Sequence, residues 1–360
     1  MDVCPLIFEP IYKAKVWGGD ALARLLDKKL PPDEPIGESW ECADLEAGQS
    51  VVARGPMKGR TLHDLVTTWG TDLLGRAAPV EGRFPLLIKF LDARQTLSIQ
   101  VHPDRRAAEA LGKRCTIKNE AWHVIEAADG ARIYRGLKAG VSLDDLRSRA
   151  TSAPDSIPSL LNSVPARRGD TFFLPAGTLH ALGEGIVVAE VQTPSDVTFR
   201  LYDWGRSRAG ADAGLHIDET LACVRTDVRF APFEKKSHVS SVFATITQLV
   251  SCPSFKIERV RFVEEFEQDI PYAELVIWIV LDGRGEVRHR GGVESFSRGD
   301  VMVLPAGLKN ARLRTHAVCN LLEVTIPVES DLAEFDRPMT PPHATAPRGP
   351  VQIHIDRPRP

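Results

Sequence analysis

The feature that most narrows the fold is a twelve-residue segment that occurs twice. Gly169–His180 reads GDTFFLPAGTLH, and Gly299–Asn310, 130 positions later, reads GDVMVLPAGLKN. Each copy is a Gly-Asp turn, a strand-like stretch and a Pro/Gly corner. Such a segment buries its apolar side only against other strands, so its recurrence implies two related β units in tandem. The copies differ at their last residue, His180 against Asn310, so a metal ligand present in one would be absent from the other.

The remaining pattern agrees with a mainly β chain. Strand-like stretches occur at PLLIKFLDA and TLSIQVH, and at Glu120–Ala127, Ala131–Leu137, Thr171–Leu174, Ile186–Gln192 and Val197–Tyr202. Others follow at Phe255–Phe262, Leu275–Leu281, Gly285–His289, Val301–Leu304, Ala311–Leu313 and Val318–Ile326. Many short strands separated by Gly, Pro and Asp read as an antiparallel sandwich or barrel. Helical spacing appears at Asp20–Asp27 and at Leu62–Leu74 with Thr61 as its cap. It recurs after Asp104 and over Ser142–Ala150. The first 80 residues are otherwise mixed. We divide the chain into a unit over 1–235, a second over 236–330 and a Pro-rich tail over 331–360, where VQIHI (Val351–Ile355) fits an edge strand.

Composition excludes several classes. The net charge of −3 gives no electrostatic reason for a nucleic-acid or anionic-membrane partner. No apolar run approaches the ~20 residues of a membrane helix. The start, MDVCPLIFEPIYK, lacks a secretory signal pattern. The six cysteines are scattered with no C-x-x-C pair, which fits reduced thiols and a cytoplasmic location.

Gln100 and His102 sit two apart on an expected strand and so share a face. Glu120 opens the next strand and His180 follows the LPAG corner. Two imidazoles, a carboxylate and an amide oxygen suit a borderline divalent metal. Each residue also has an ordinary reading: a lone His is commonly a hydrogen-bonded core residue, and a strand-end Glu is commonly solvated.

These residues lie in segments that resemble the type I phosphomannose isomerases, in particular the short bacterial form. The matching segments are FPLLIKFLDARQTLSIQVHPD, KNEAWHVI and GDTFFLPAGTLHALGEGIVVAEVQTPSDVTFRLYDWGR, with KVWGG and GESWE nearer the start. The resemblance spans roughly 7–325. It implies tandem cupin-type (jelly-roll) barrels with a few short helices, the second barrel degenerate, and one Zn²⁺ per chain. It places zinc ligands at Gln100, His102, Glu120 and His180. Lys118 falls on the active-site Lys, Arg200 on the catalytic Arg, and Glu190 and Asp196 on acidic positions before it. Lys89 and Ser98 match phosphate-associated positions, and Trp17 an aromatic at the pocket mouth. Ile117, Asn119 and His123 depart from the common residues. The implied substrate is a small sugar phosphate; no protein partner is implied.

Aldose–ketose interconversion moves a proton between C1 and C2 through a cis-enediol, so it needs a Lewis acid, an oxyanion donor and a base. Arg200 is the expected donor. Glu190 and Lys118 are both candidate bases, Lys118 being alternatively a hydroxyl or phosphate ligand. Lys89 can instead snorkel from an apolar strand. A non-catalytic metal- or sugar-binding bicupin sensor does not need Lys118, Glu190 and Arg200. An iron-dependent oxygenase on the same fold fits less well with a Gln ligand and neighbouring cations.

Overall fold

The computed structural model describes residues 2–112, 117–206, 214–228, 230 and 238–332. Among these residues the strands form four large antiparallel sheets and a two-stranded ribbon. A five-stranded sheet runs Leu161–Pro165, Arg132–Leu137, His180–Leu182, Ile99–Val101, Phe199–Tyr202. A six-stranded sheet runs Thr171–Leu174, Glu120–Ala127, Ile186–Gln192, Leu87–Ala93, Ile36–Cys42, Ile11–Gly19. A seven-stranded sheet runs Leu6–Ile7, Val301–Leu304, Val276–Asp282, Cys319–Thr325, Lys256–Phe262, Ala244–Ser251, His238–Ser240. The last has four strands: Glu267–Asp269, Arg312–Thr315, Arg284–His289, Gly292–Ser297.

The apolar clusters show how these sheets stack. Leu91, Trp122, Val124 and Val188 of the six-stranded sheet pack with Ile133 and Leu182 of the five-stranded one. The opposite face of the six-stranded sheet contributes Ile88, Phe90, Ala121, Val187 and Val191 to a second core. That core is shared with Ile257, Ile277, Val303, Leu322 and Val324 of the seven-stranded sheet. A third core joins Trp278, Met302 and Leu321 to Val287, Phe296 and Leu313 of the four-stranded sheet. Outside the five-stranded sheet, Leu146, Ile157 and Leu221 cover Val101, Ala181 and Phe199. The molecule is therefore a run of sheets in which the six-stranded one is covered on both faces. This is why Leu87–Ala93 and Ile186–Gln192 are buried at every position and read as continuous apolar runs. Each fully buried Ile or Phe here contributes roughly 1.5–3 kcal/mol by removal from water.

The repeat is structural. Gly169 and Gly299 both adopt φ 87°, a left-handed value that glycine takes without strain. Their N–H groups donate to the carbonyls of Val124 and Val280, each at 2.8 Å. The strands that follow pair with equivalent neighbours: Leu174 lies opposite Glu120, and Leu304 opposite Val276. The two units are also interwoven, since Leu6–Ile7 pairs with Val301–Leu304 of the second unit's sheet.

The helices expected at Asp20–Asp27, after Asp104 and at Ser142–Ala150 are present as Ala21–Leu26, Arg105–Ala110 and Leu143–Ser152. Thr61 and Ser142 form capping boxes with Asp64 and Asp145. The single helix expected over Leu62–Leu74 is instead two, Leu62–Trp69 and Thr71–Leu74, because Gly70 leaves helical geometry at φ 49°. The Ile11–Gly19 and Ile36–Cys42 strands and the Ile217–Cys223 helix were not expected. Cys4, Cys42, Cys252 and Cys319 are buried free thiols, and Cys223 is buried. Cys115 and the tail from residue 333 on, including Val351–Ile355, lie outside the described residues. No helix among the described residues is long and apolar enough to cross a membrane.

Candidate metal centre and active site

Register places two rows of side chains between the five- and six-stranded sheets. Across the five-stranded sheet the row is Arg135, His180, Gln100, Arg200. Across the six-stranded sheet it is Trp122, Glu190, Lys89, Trp40. The rows meet where the Trp122 and His180 rings come within 5.3 Å, edge to face.

Among the described residues, His102, Glu120 and His180 are buried and offer ligand atoms within 4.8 Å of one another. The backbone fixes the imidazoles. His102 Nδ1 lies 2.8 Å from the Val197 carbonyl, and His180 Nδ1 lies 2.8 Å from that of Thr178. A carbonyl only accepts, so each Nδ1 carries the hydrogen and each Nε2 presents a lone pair in the neutral ring. Burial, reinforced by the Lys118 charge, lowers the His102 pKa to about 3 and keeps that ring neutral. The Nε2 atoms point at Glu120: His180 Nε2 is 2.9 Å from Oε1, and His102 Nε2 is 3.5 Å from Oε2. Burial alone would raise the Glu120 pKa, but the Lys118 ammonium is the largest opposing charge, and the carboxyl is held well below its usual value. Both Nε2 atoms and both carboxylate oxygens are buried, and neither Nε2 nor Glu120 Oε1 has a hydrogen bond among the described residues. Lone pairs facing a carboxylate repel one another, and a divalent cation between them reverses the sign. The donor set therefore fits a metal. Gln100, cross-strand neighbour of His180, places its amide beside this cluster, with Oε1 accepting from Ser98 Oγ at 3.1 Å.

Next to the cluster is a line of buried charge. Lys118 Nζ is 2.8 Å from Glu120 Oε2. Glu190 accepts from Trp122 Nε1 at 2.8 Å, and its Oε2 is 3.4 Å from Lys89 Nζ. Burial raises the Glu190 pKa, with Lys118 and Lys89 opposing. Lys89 Nζ also lies 3.5 Å from Glu38 Oε2 and over the Trp40 ring at 5.0 Å. Burial would lower the Lys89 pKa, yet Glu38 and Glu190 prevail and raise it. Arg200 sits across from Gln100, and its backbone bonds His216, which opens the Ile217–Cys223 helix.

Not every expected residue lines open space. Ser98 is only 2% exposed and its hydroxyl is committed to Gln100. Lys89 is 4% exposed and flanked by carboxylates. Trp17 is buried in the cluster with Leu91 and Trp122. Asp196 is exposed, one residue before the Val197 carbonyl that holds His102, and its charge acts on Lys89. Sequence reasoning overlooked Glu38 and Trp122. A signal existed in GESWE and EAWHV, but a strand Glu and a strand Trp read as surface and core.

The second unit carries apolar or amide residues where the first has ligands: Val276 occupies the Glu120 position by register, and Asn310 that of His180. A pair of stacked cupin-type units, the first carrying a buried two-histidine, one-carboxylate cluster that could hold a metal ion, defines a bicupin. The family model for the type I phosphomannose isomerase catalytic domain matches residues 6–122, reaching Gln100, His102, Lys118 and Glu120. Mannose-6-phosphate isomerase ManA of Bacillus subtilis is 34% identical over 326 residues, 89% of this chain and 98% of that protein. The mannose-6-phosphate isomerase of Streptococcus mutans is 33% identical over 317 residues, 85% of this chain and 94% of that protein. The crystal structure of the B. subtilis mannose 6-phosphate isomerase matches with a TM-score of 0.80 at 30% identity, covering 90% of this chain and all of that one. The chain belongs to the type I phosphomannose isomerase family.

Proposed function

We propose that this protein interconverts mannose 6-phosphate and fructose 6-phosphate, moving a proton between C1 and C2 through a cis-enediol. The observation that carries the reading is the buried Glu190 carboxylate beside Lys118 and the two-histidine, one-carboxylate cluster. The names of the relatives support the same substrate pair.

Gln100, His102, Glu120 and His180 are the residues assigned to hold Zn²⁺. When bound, the ion supplies Lewis-acid stabilisation of negative charge on sugar oxygens. Glu190 is assigned as the base: burial raises its pKa towards neutrality, where proton transfer is most effective. Trp122 and Lys89 fix its two oxygens and so its direction of attack. Lys118, charge-paired with Glu120, is assigned to donate to a sugar hydroxyl. Arg200 offers a planar two-donor fork to the oxyanion that develops as the proton leaves. Asp196 and Lys89 adjust the charge at this edge of the site, and Ser98 orients Gln100. The unit over 1–235 carries this chemistry and the unit over 236–330 supports it.

A coupled assay with mannose 6-phosphate, run before and after chelation, tests the proposal. Turnover is expected to vanish on chelation and return with zinc. Absence of turnover in the zinc-loaded protein overturns it.

A further inference from the structure

Asn119 stands between Lys118 and Glu120. Lys118 and Glu120 pair with each other beside the cluster, whereas the Asn119 side chain bonds residues outside it. That side chain meets the second unit. Asn119 Nδ2 donates to Ser254 Oγ at 3.1 Å, and Ser254 Oγ donates to Asp331 Oδ1 at 2.8 Å. Asn119 Oδ1 accepts from the Ala176 N–H at 3.0 Å. The amide orientation follows from these partners, because a backbone N–H requires the oxygen to face it.

These contacts reach each segment that carries a histidine or carboxylate of the metal cluster. Ala176 lies in the corner that leads to His180. The Asn119 backbone exchanges two bonds with Thr193: Asn119 N–H donates to Thr193 Oγ1 and Thr193 N–H donates to the Asn119 carbonyl, both at 3.1 Å. Thr193 opens the loop whose Val197 carbonyl holds His102. Thr193 Oγ1 also donates to the Ile117 carbonyl at 2.9 Å, bracing the residue before Lys118. Ser254 and Thr193 are fully buried, so water does not replace a lost partner readily.

We propose that Asn119 is a positioning residue: its side chain sets the spacing of Glu120 and His180, anchored to Ser254 of the second unit and through it to Asp331, while its backbone ties Glu120 to the loop that holds His102. The inference rests on the reading of those three residues as metal ligands. Outer contacts that orient metal ligands change affinity by about ten- to a hundredfold when removed.

The test is zinc affinity of the full-length apoprotein, measured by competition with a chromogenic chelator, in Asn119→Ala, Ser254→Ala and the double variant. Asn119→Ala is expected to bind zinc about ten- to a hundredfold more weakly. Ser254→Ala should weaken it in the same direction by less, and the double variant should match Asn119→Ala, because the Ser254 effect travels through Asn119. With zinc saturating, Asn119→Ala should lower kcat and leave KM for mannose 6-phosphate within about twofold. Wild-type zinc affinity in Asn119→Ala, even with a lowered Tm, overturns the proposal. Effects that simply add in the double variant also overturn it. A wild-type protein that binds zinc without isomerising the sugar would defeat the functional reading alone, and the competition experiment would still decide the role of Asn119.

Discussion

Glu323 is the second unit's counterpart of Glu190. Each lies opposite a tryptophan at the same register, Trp278 and Trp122, and each accepts that indole N–H, at 3.0 and 2.8 Å. The surroundings differ. Glu190 faces Lys89, whereas the residue paired with Glu323 at the equivalent place is Glu258, and Tyr272 donates to Glu323 Oε2. Burial and the neighbouring carboxylates raise the Glu323 pKa, opposed only in part by the hydrogen bonds from Tyr272 and Trp278.

The pair makes a controlled comparison. A carboxyl with a raised folded-state pKa adds stability below its unfolded value and loses that contribution as pH rises through the folded value. Glu323→Gln preserves an acceptor for Tyr272 and Trp278 and cannot ionise. Its Tm is expected to fall less than that of wild type between mildly acidic and alkaline pH, with kcat unchanged. Glu190→Gln should lose about 10²–10⁴ in kcat, the range for removal of a general base. Thermal scans across pH and steady-state kinetics check both.

The two imidazoles separate the units in the same way. His102→Ala and His180→Ala are expected to retain fold and lose metal, read by elemental analysis of the purified protein. Asn310→Ala, at the position equivalent to His180, should keep both metal and activity. Full zinc occupancy in either histidine variant would end the ligand assignment.

Lys89 has two readings that kinetics can part. Its ammonium opposes burial at Glu190, so Lys89→Ala should raise the Glu190 pKa further. The deprotonated base is then lost at a higher pH, and the acid limb of the kcat profile should move up. KM for mannose 6-phosphate and for free mannose should change alike. A KM increase confined to the phosphorylated sugar, of about ten- to a hundredfold, would return Lys89 to the phosphate.

Arg200→Ala is expected to lose about 10²–10³ in kcat with little change in KM, as for deletion of an oxyanion donor. Arg200→Lys should recover part of that loss, because an ammonium lacks the planar fork. Zinc content and Tm should stay near wild type; a loss of kcat that tracks unfolding would make Arg200 a structural residue.

Much of this was legible before the fold was known. The i, i+2 spacing of Gln100 and His102 depends only on strand geometry, and the duplicated GD…LPAG segment exposed the tandem units. Other parts were not. The carbonyls of Val197 and Thr178 that set the histidine tautomers leave no mark on the side-chain sequence. The Ile11–Gly19 strand was obscured because its register to Ile36–Cys42 shifts twice, which breaks period-two alternation. Glu38 sits in such a strand. Its pKa is about 2: Lys89 and Lys15 more than offset the effect of burial, a relationship visible only when three strands are side by side.

The six-stranded sheet has one face on the site and the other on the second unit's apolar core. The second unit is thus the rear wall of the sheet that carries Lys89 and Glu190. Cutting the chain between the repeats would leave Ile88, Phe90 and Val191 facing water on the strands that carry Lys89 and Glu190. Selection against that exposure ties the two halves into a single unit of inheritance, because neither can be discarded without wetting the core of the other.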